Sequence, residues 1–139
     1  MNEVIRKLRK AAPVVFDATP VIFAYLYGSH ASGTSGPRSD VDVAVYLEDG
    51  SDGTLELSLR LAGVLERESS VAPVGALLVL NSAPIAIAGR VIEEGHVIYS
   101  RDETRRVRHA SETLRHYHDF KIHDLRAARL RLARIAGGG

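Results

Sequence analysis

Cysteine and tryptophan are both missing from this chain of 139 residues. The lack of cysteine excludes disulfide bonds and thiolate metal sites. No apolar run approaches the roughly 18 residues that a membrane-spanning helix needs. The first ten residues are charged and amphipathic, without the apolar core or the small-residue cleavage site of a signal peptide. We therefore expect a cytoplasmic protein with no membrane contact.

Internal repeats are also absent, and the composition is ordinary for a globular protein, with 45% apolar and 25% charged residues. A chain of this length forms one domain and buries about two-thirds of its unfolded surface.

The net charge of +1 conceals an uneven distribution of charged residues along the chain. Residues 1–99 hold eight Lys and Arg against twelve Asp and Glu, whereas residues 100–139 hold ten against five. The basic tail predicts either an arm for an acidic partner or nucleic acid, or a solvated helix face.

The apolar pattern predicts helices that alternate with a few strands. We expect helices over 2–11, from Ser29, from about 54 to 68 and from 84 to 94, and strands over 21–27, from Asp40, over 74–80 and over 96–99. Pro13 and Pro20 would bracket an irregular link, and Gly95 would cap a helix. These elements predict an α/β fold, a small mixed sheet of about four strands covered on one face by helices.

The tail from Asp102 is typical of long helices. Apolar residues recur at steps of 3, 4 and 3 in two stripes, Val107–Ala110–Leu114–Tyr117 and Leu125–Ala128–Leu132–Ile135. The second stripe is out of phase with the first, which predicts a break or kink near 120–122. We expect a core over 1–100, a helical extension over 101–136 packed on that core, and a disordered tail over 137–139.

One spacing stands out from the rest of the sequence. Gly28-Ser29 follows the apolar run 21–27, and ten residues later comes Asp40-Val41-Asp42 at the start of another apolar run. On a strand, Asp40 and Asp42 point the same way. Two carboxylates on one edge repel each other, but Mg²⁺ is held by such oxygen ligands together with substrate phosphates. A glycine lets backbone approach a phosphate.

Chance produces four fixed residues at this spacing on the order of once in 10⁵ start positions. The alternative is a strand–turn–strand unit that happens to carry surface aspartates. The two flanking apolar runs, which the motif does not require, favour a site.

The stretch from Gly28 through Gly33 to Asp42 resembles the signature of the minimal nucleotidyltransferases, the smallest members of the polymerase-β-like superfamily. The similarity continues at Leu80–Pro84, Val91–Tyr99 and Tyr117–Phe120. Family members of this length are typically antitoxins paired with a HEPN-family ribonuclease toxin. The resemblance implies the minimal nucleotidyltransferase fold and Mg²⁺-dependent transfer of AMP from ATP to a tyrosine of the toxin.

The same resemblance assigns roles to individual residues. Gly28 and Ser29 would hold the ATP phosphates, and Asp40 and Asp42 would be the catalytic carboxylates that ligate Mg²⁺. Ser39 would cap the turn before Asp40 and is a further candidate contact to the nucleotide phosphates. Arg38 is a candidate phosphate contact, although an exposed loop arginine is the commoner explanation.

A third carboxylate is absent where the family has one. It lies five residues before the asparagine of the Leu-Asn pair, which in this chain is Ala76, and no acidic residue occurs from Ser69 through Ile92. In the family this acid helps to hold the metal and to draw a proton from the attacking hydroxyl. Its absence predicts slow turnover, since a positioned base contributes about 10²–10⁴ in rate.

Three functions remain open. The first is an antitoxin that transfers AMP to its toxin with an impaired site. The second is a degenerate, non-catalytic module that neutralises the toxin by occlusion. The third, a transferase acting on a small molecule such as an aminoglycoside, is weakest because such enzymes generally carry a second domain. We expect no direct nucleic-acid binding, and an oligomeric state set by the toxin complex.

Overall fold

A computed structural model describes residues 2–36, 40–71 and 73–137. Helices and strands alternate along these residues, which confirms the predicted α/β class. The elements are α1 (Glu3–Phe16), β1 (Val21–Tyr27), α2 (Ser29–Ser32), β2 (Asp42–Leu47), α3 (Leu55–Ser69), β3 (Leu78–Val79), α4 (Ile85–Glu94), β4 (His96–Ser100) and α5 (Glu103–Gly137). Along the described ranges, no helix has both the length and the apolar character needed to cross a bilayer.

The strands of the described residues form one sheet in the order β3-β2-β1-β4. Strand β1 pairs antiparallel with β2 and β4, and β2 pairs parallel with β3, so the sheet is mixed as predicted. Because β1 lies inside the sheet, nearly all of its side chains are buried. This position explains its unbroken apolar sequence.

Helices cover both faces of the sheet, so the expectation of one covered face is wrong. Ala24 and Leu26 of β1 belong to a core that includes residues of α1 and α3. Phe23 and Tyr25 belong to a second core, with Ala88 and Val91 of α4. A strand that is apolar at every position exposes apolar side chains on two sides, and each side needs cover.

Helix α1 is longer than the expected 2–11, because it continues through Pro13 to Phe16. Proline lacks the N–H that would bond one turn back. Val15 and Phe16 are nevertheless buried, and Asp17 N–H donates to the Pro13 carbonyl. Burial of two large apolar side chains outweighs one missing hydrogen bond.

The third strand is shorter than the predicted 74–80. Val74 forms only an isolated bridge to Val41, while Leu78 pairs with Ala44. Val41 and Ala44 are three residues apart on β2, whereas their partners Val74 and Leu78 are four residues apart. The extra residue in the segment before β3 interrupts the regular pairing of the two strands. Regular pairing of the second strand begins at Asp42, opposite Tyr27 of β1, and Asp40 lies before it.

Helix α5 is continuous through 120–122, so the predicted break is wrong. Val107 and Leu125 are 18 residues apart, which is about five turns at 3.6 residues per turn. The two apolar stripes therefore fall on one line of a straight helix, although they are out of phase in a seven-residue repeat. Gly137 ends α5, and 138–139 lie outside the described residues.

Helix α5 packs on the core by part of its first apolar stripe together with polar residues. Val107 is 49% exposed, whereas Thr113 and Tyr117 are buried. The Tyr117 ring lies on Gly89 of α4, where any Cβ would overlap it. His109 packs against the rings of Phe23 and Tyr46, so two polar side chains, His109 and Thr113, occupy much of the contact face.

Candidate functional site

The two halves of the Gly-Ser and Asp-x-Asp motif meet where β1 ends and β2 begins. Tyr27 is paired with Asp42 across the antiparallel strands. The next residue, Gly28, has φ 76°, and a Cβ at this position would overlap Asp42 Oδ2. Only glycine combines that backbone angle with such a close approach. The structure therefore brings Gly28 and Asp42 together as the spacing predicts.

A single turn, α2, follows immediately after Gly28. The Gly28 carbonyl accepts hydrogen bonds from the Ala31 and Ser32 N–H groups, each at 3.1 Å. Gly33, at φ 79°, ends the turn, and Thr34 N–H donates to the Ser29 carbonyl at 3.0 Å. The half-buried Ser29 thus lies in a sharp bend, one residue after the Gly28 that approaches the Asp42 carboxylate.

Asp40 is exposed and Asp42 is half-buried. Burial raises the pKa of the Asp42 carboxyl, the negative charge of Asp40 raises it further, and His30 opposes both effects. Among the described residues, no lysine, arginine or histidine forms an ion pair with either carboxylate. The pair therefore has an electrostatic penalty that a bound cation would relieve.

Two residues that sequence reasoning missed support α2 from outside. The Asn2 side chain caps α1 by accepting from Val4 N–H, and its Nδ2 donates to the His30 carbonyl at 2.9 Å. His96 Nε2 lies 3.1 Å from the Ala31 carbonyl. Both contacts join residues far apart in the sequence. In the sequence, Asn2 can be recognised only as a residue that caps a helix, and nothing identifies His96 as a contact of α2.

A pocket of about 220 Å³ opens beside Gly28, on the side of the sheet that α4 covers. Ile87 and Val91 supply apolar wall, and Arg90 and Glu94 lie 3.7 Å apart at its margin. Tyr27 completes the lining, and the nearby Asp42 charge adds to the burial that raises its pKa. Sequence reasoning had assigned Ile87 and Val91 only to a helix.

Ala76 lies in the irregular segment between the Val74 bridge and β3, and it is exposed. Leu78, two residues further on and the first residue of β3, is paired with Ala44. No group of three or more His, Asp and Glu side chains able to hold a metal occurs within 2–36, 40–71 and 73–137. The role assigned to a carboxylate at position 76 stays a prediction.

Arg38 and Ser39, the other predicted phosphate contacts, lie outside the described residues. The predicted roles of Gly28, Ser29, Asp40 and Asp42 likewise stay predictions, although their geometry suits them. Two carboxylates without an ion-pair partner in the described chain, next to a glycine that admits a close ligand, match the donor set of Mg²⁺. Residues of this kind fit the metal in company with substrate phosphates.

The chain resembles proteins of known structure and name. It is 29% identical over 100 residues to the protein adenylyltransferase MntA of Shewanella oneidensis, a match that covers 70% of this chain and 63% of that protein. A chain in the structure of a tri-AMPylated S. oneidensis HEPN toxin in complex with MNT antitoxin superposes with a TM-score of 0.67 at 18% identity. That superposition covers 93% of this chain and 99% of the other.

A chain in a toxin–antitoxin structure with AMP-PNP gives a TM-score of 0.64 at 23% identity, covering 95% and 98% of the two chains. At these identities the superpositions establish the fold. The model of the family described as "Polymerase beta, Nucleotidyltransferase" matches residues 9–104, which include the Gly28 turn, both aspartates and the whole sheet. The chain belongs to the polymerase-beta nucleotidyltransferase family.

Proposed function

We propose that this protein is an antitoxin that neutralises a HEPN-family ribonuclease toxin by transferring AMP from ATP to a tyrosine of that toxin. The observation that carries the proposal is the contact between Gly28 and Asp42, which assembles one site from both halves of the motif. Family membership supports nucleotidyl transfer. A relative named as a protein adenylyltransferase supports a protein acceptor.

The residues of the chain divide the work of the transfer. Gly28 allows the phosphates to approach the backbone, and Ser29 offers a hydroxyl to them. Asp40 and Asp42 would hold Mg²⁺, which when bound offsets the negative charge on the phosphates. The tyrosine oxygen bonds to the α-phosphorus, the bond to the β-phosphate oxygen breaks, and pyrophosphate and a proton leave. Placement and charge supply most of the rate in such a reaction.

The pocket beside Gly28 supports the proposal with a place for a flat group. Ile87, which is 44% exposed, offers apolar surface to one ring, of the nucleotide or of the acceptor tyrosine. Because ATP and a ribonuclease toxin act in the cytoplasm, we place this protein there as well.

Neutralisation by occlusion is the second candidate, and the alanine at position 76 favours it. Ala76 can neither ligate a metal nor accept a proton from the attacking hydroxyl. A chain that had lost transfer would still present the same surface to its toxin. The two candidates differ in one respect, because only transfer changes the covalent mass of the partner.

Co-expression with a HEPN-family toxin separates the two candidates. We expect the intact mass of the toxin to rise by whole AMP units with the wild type and to stay unchanged with Asp42→Asn. An unmodified toxin in a stable complex with the wild type would instead establish occlusion. A toxin that is neither bound nor modified would contradict both candidates.

A further inference from the structure

The C-terminal half of α5 extends beyond the rest of the molecule. Tyr117 is the last buried residue of this helix in the described chain. Packing against α4 ends with His118 and Lys121, which lie 3.2 and 3.9 Å from the Glu93 carboxylate. The next 16 residues, 122–137, extend over about 24 Å of helix. An isolated helix of this length is marginal in water, so a partner is the natural source of its stability.

One side of this segment is apolar. Leu125, Ala128, Leu132 and Ile135, named here the α5 stripe, recur at steps of 3, 4 and 3 and so share a face. Leu125, Leu132 and Ile135 are 53%, 67% and 76% exposed. A line of large exposed apolar side chains on a helix is the form in which amphipathic helices recognise partners.

The charges around the stripe identify the kind of partner. Residues 122–137 contain four arginines and one acidic residue, Asp124. At 100° per residue, Arg129 and Arg131 lie on opposite sides of the stripe. Four arginines against one aspartate give this segment a net charge of +3, so two copies packed stripe to stripe would bring like charges together, which opposes association. The surface is therefore complementary to an acidic partner rather than to a second copy of this chain.

We propose that the α5 stripe is the docking surface for an amphipathic helix with acidic flanks on the HEPN-family toxin. This inference rests on the proposed function and adds to it the surface that holds the partner. Leu125, Leu132 and Ile135 pack between apolar residues of the toxin helix, as in a short coiled coil. Arg129 and Arg131 pair with carboxylates at the rim and orient the toxin during association.

Two leucines provide a matched test. Leu130 and Leu132 are both 67% exposed, yet they lie about 200° apart around the helix. Glutamate has nearly the helix propensity of leucine, so Leu132→Glu and Leu130→Glu both keep the helix, which circular dichroism checks. We expect Leu132→Glu to weaken binding of the full chain to the toxin on the order of tenfold or more. Leu130→Glu changes it by less than about threefold.

A second pair tests the charges in the same way. Arg131 flanks the stripe, whereas Arg134 lies farther around the helix, on its opposite side. Arg131→Glu slows association with the toxin and reduces its dependence on salt, and Arg134→Glu does so much less.

The outcomes separate this inference from the function on which it rests. If the wild type binds and modifies the toxin, and Leu132→Glu binds as tightly as Leu130→Glu, the docking surface is wrong and the function stands. Failure of the wild type to bind the toxin overturns both. Self-association, or binding to anionic lipid vesicles, that Leu132→Glu abolishes without changing toxin affinity would overturn the inference in favour of a second copy or a membrane.

Discussion

Each end of strand β2 carries a pair of acidic residues, and the two pairs have opposite surroundings. Glu48 and Asp49 follow the strand and meet arginines. Arg105 donates to Glu48 at 2.9 Å and lies 3.6 Å from Asp49, and Arg101 lies 4.0 Å from Glu48. The hydrogen bond from Arg105 lowers the pKa of the Glu48 carboxyl.

Asp40 and Asp42 come before and at the first residue of the same strand. Burial and mutual repulsion raise the pKa of the Asp42 carboxyl, and across the described ranges no arginine or lysine is paired with it. Within the described residues, the acids at one end of β2 are thus paired with arginines, whereas Asp40 and Asp42 at the other end have no paired arginine or lysine. Negative charge that a fold leaves unpaired is available to a ligand, and this difference marks the site.

Of the changes that remove an acid at one end of β2, the loss of Asp42 should have the largest effect, and this effect is on AMP transfer. Asp42→Asn would remove one of the two proposed metal ligands, and we expect transfer from α-labelled ATP to the toxin to fall at least about a hundredfold. The matched control, Glu48→Gln, removes an acid of the neutralised pair and should transfer normally. Loss of transfer in both variants, or in neither, would contradict the claim that only the acids at the start of β2 serve in transfer.

A smaller effect is expected from adding a third acid at position 76, where the family has one. Ala76 is exposed, so Ala76→Asp adds a carboxylate at low cost in folding. We expect it to raise the rate of AMP transfer at least about tenfold, below the usual contribution of a general base. The double variant Ala76→Asp/Asp42→Asn should lose this gain. Fast transfer by the wild type with no gain from Ala76→Asp would show that the site is already complete.

The pH dependence of stability should have opposite signs at the two ends. The pKa of Asp42 is raised in the folded protein. The contribution of Asp42 to stability is therefore fully present below about pH 3.8 and is lost as the pH rises through the pKa of the folded state. Metal-free Asp42→Asn should therefore melt slightly above the wild type at pH 7, and the difference should vanish near pH 3.

Glu48 should behave in the reverse way, because its lowered pKa makes its stabilisation present above about pH 4.5 and lost as pH falls. Glu48→Gln should melt below the wild type at pH 7, with the gap closing in acid. Thermal melts at both pH values in EDTA test these signs. The contrast would be refuted if both variants shifted the melting temperature in the same direction at pH 7.

The spacing of the motif predicted that Gly28 and Asp42 belong to one site, and the strand pairing gives the physical reason for their contact. Strands β1 and β2 pair antiparallel, so the end of β1 meets the start of β2. The neutralisation of Glu48 was beyond the sequence, because Arg105 lies 57 positions away on α5. Nothing local in the sequence distinguishes a neutralised acidic pair from an unneutralised one.

The other differences between the predicted and the observed fold also have local causes. The bulge that shortens β3 depends on how Val74 and Leu78 pair with β2, and an apolar run does not reveal register. The packed face of α5 includes Thr113 and His109, which a search for apolar periodicity passes over.

The central claim is that Asp40 and Asp42 hold Mg²⁺ for ATP beside Gly28, and calorimetric titration of ATP tests it most directly. We predict that the wild type and Glu48→Gln bind ATP with Mg²⁺ and that neither does so in EDTA. Asp42→Asn should bind in neither condition while keeping its fold. ATP binding of equal strength in EDTA, or by Asp42→Asn, would contradict the claim.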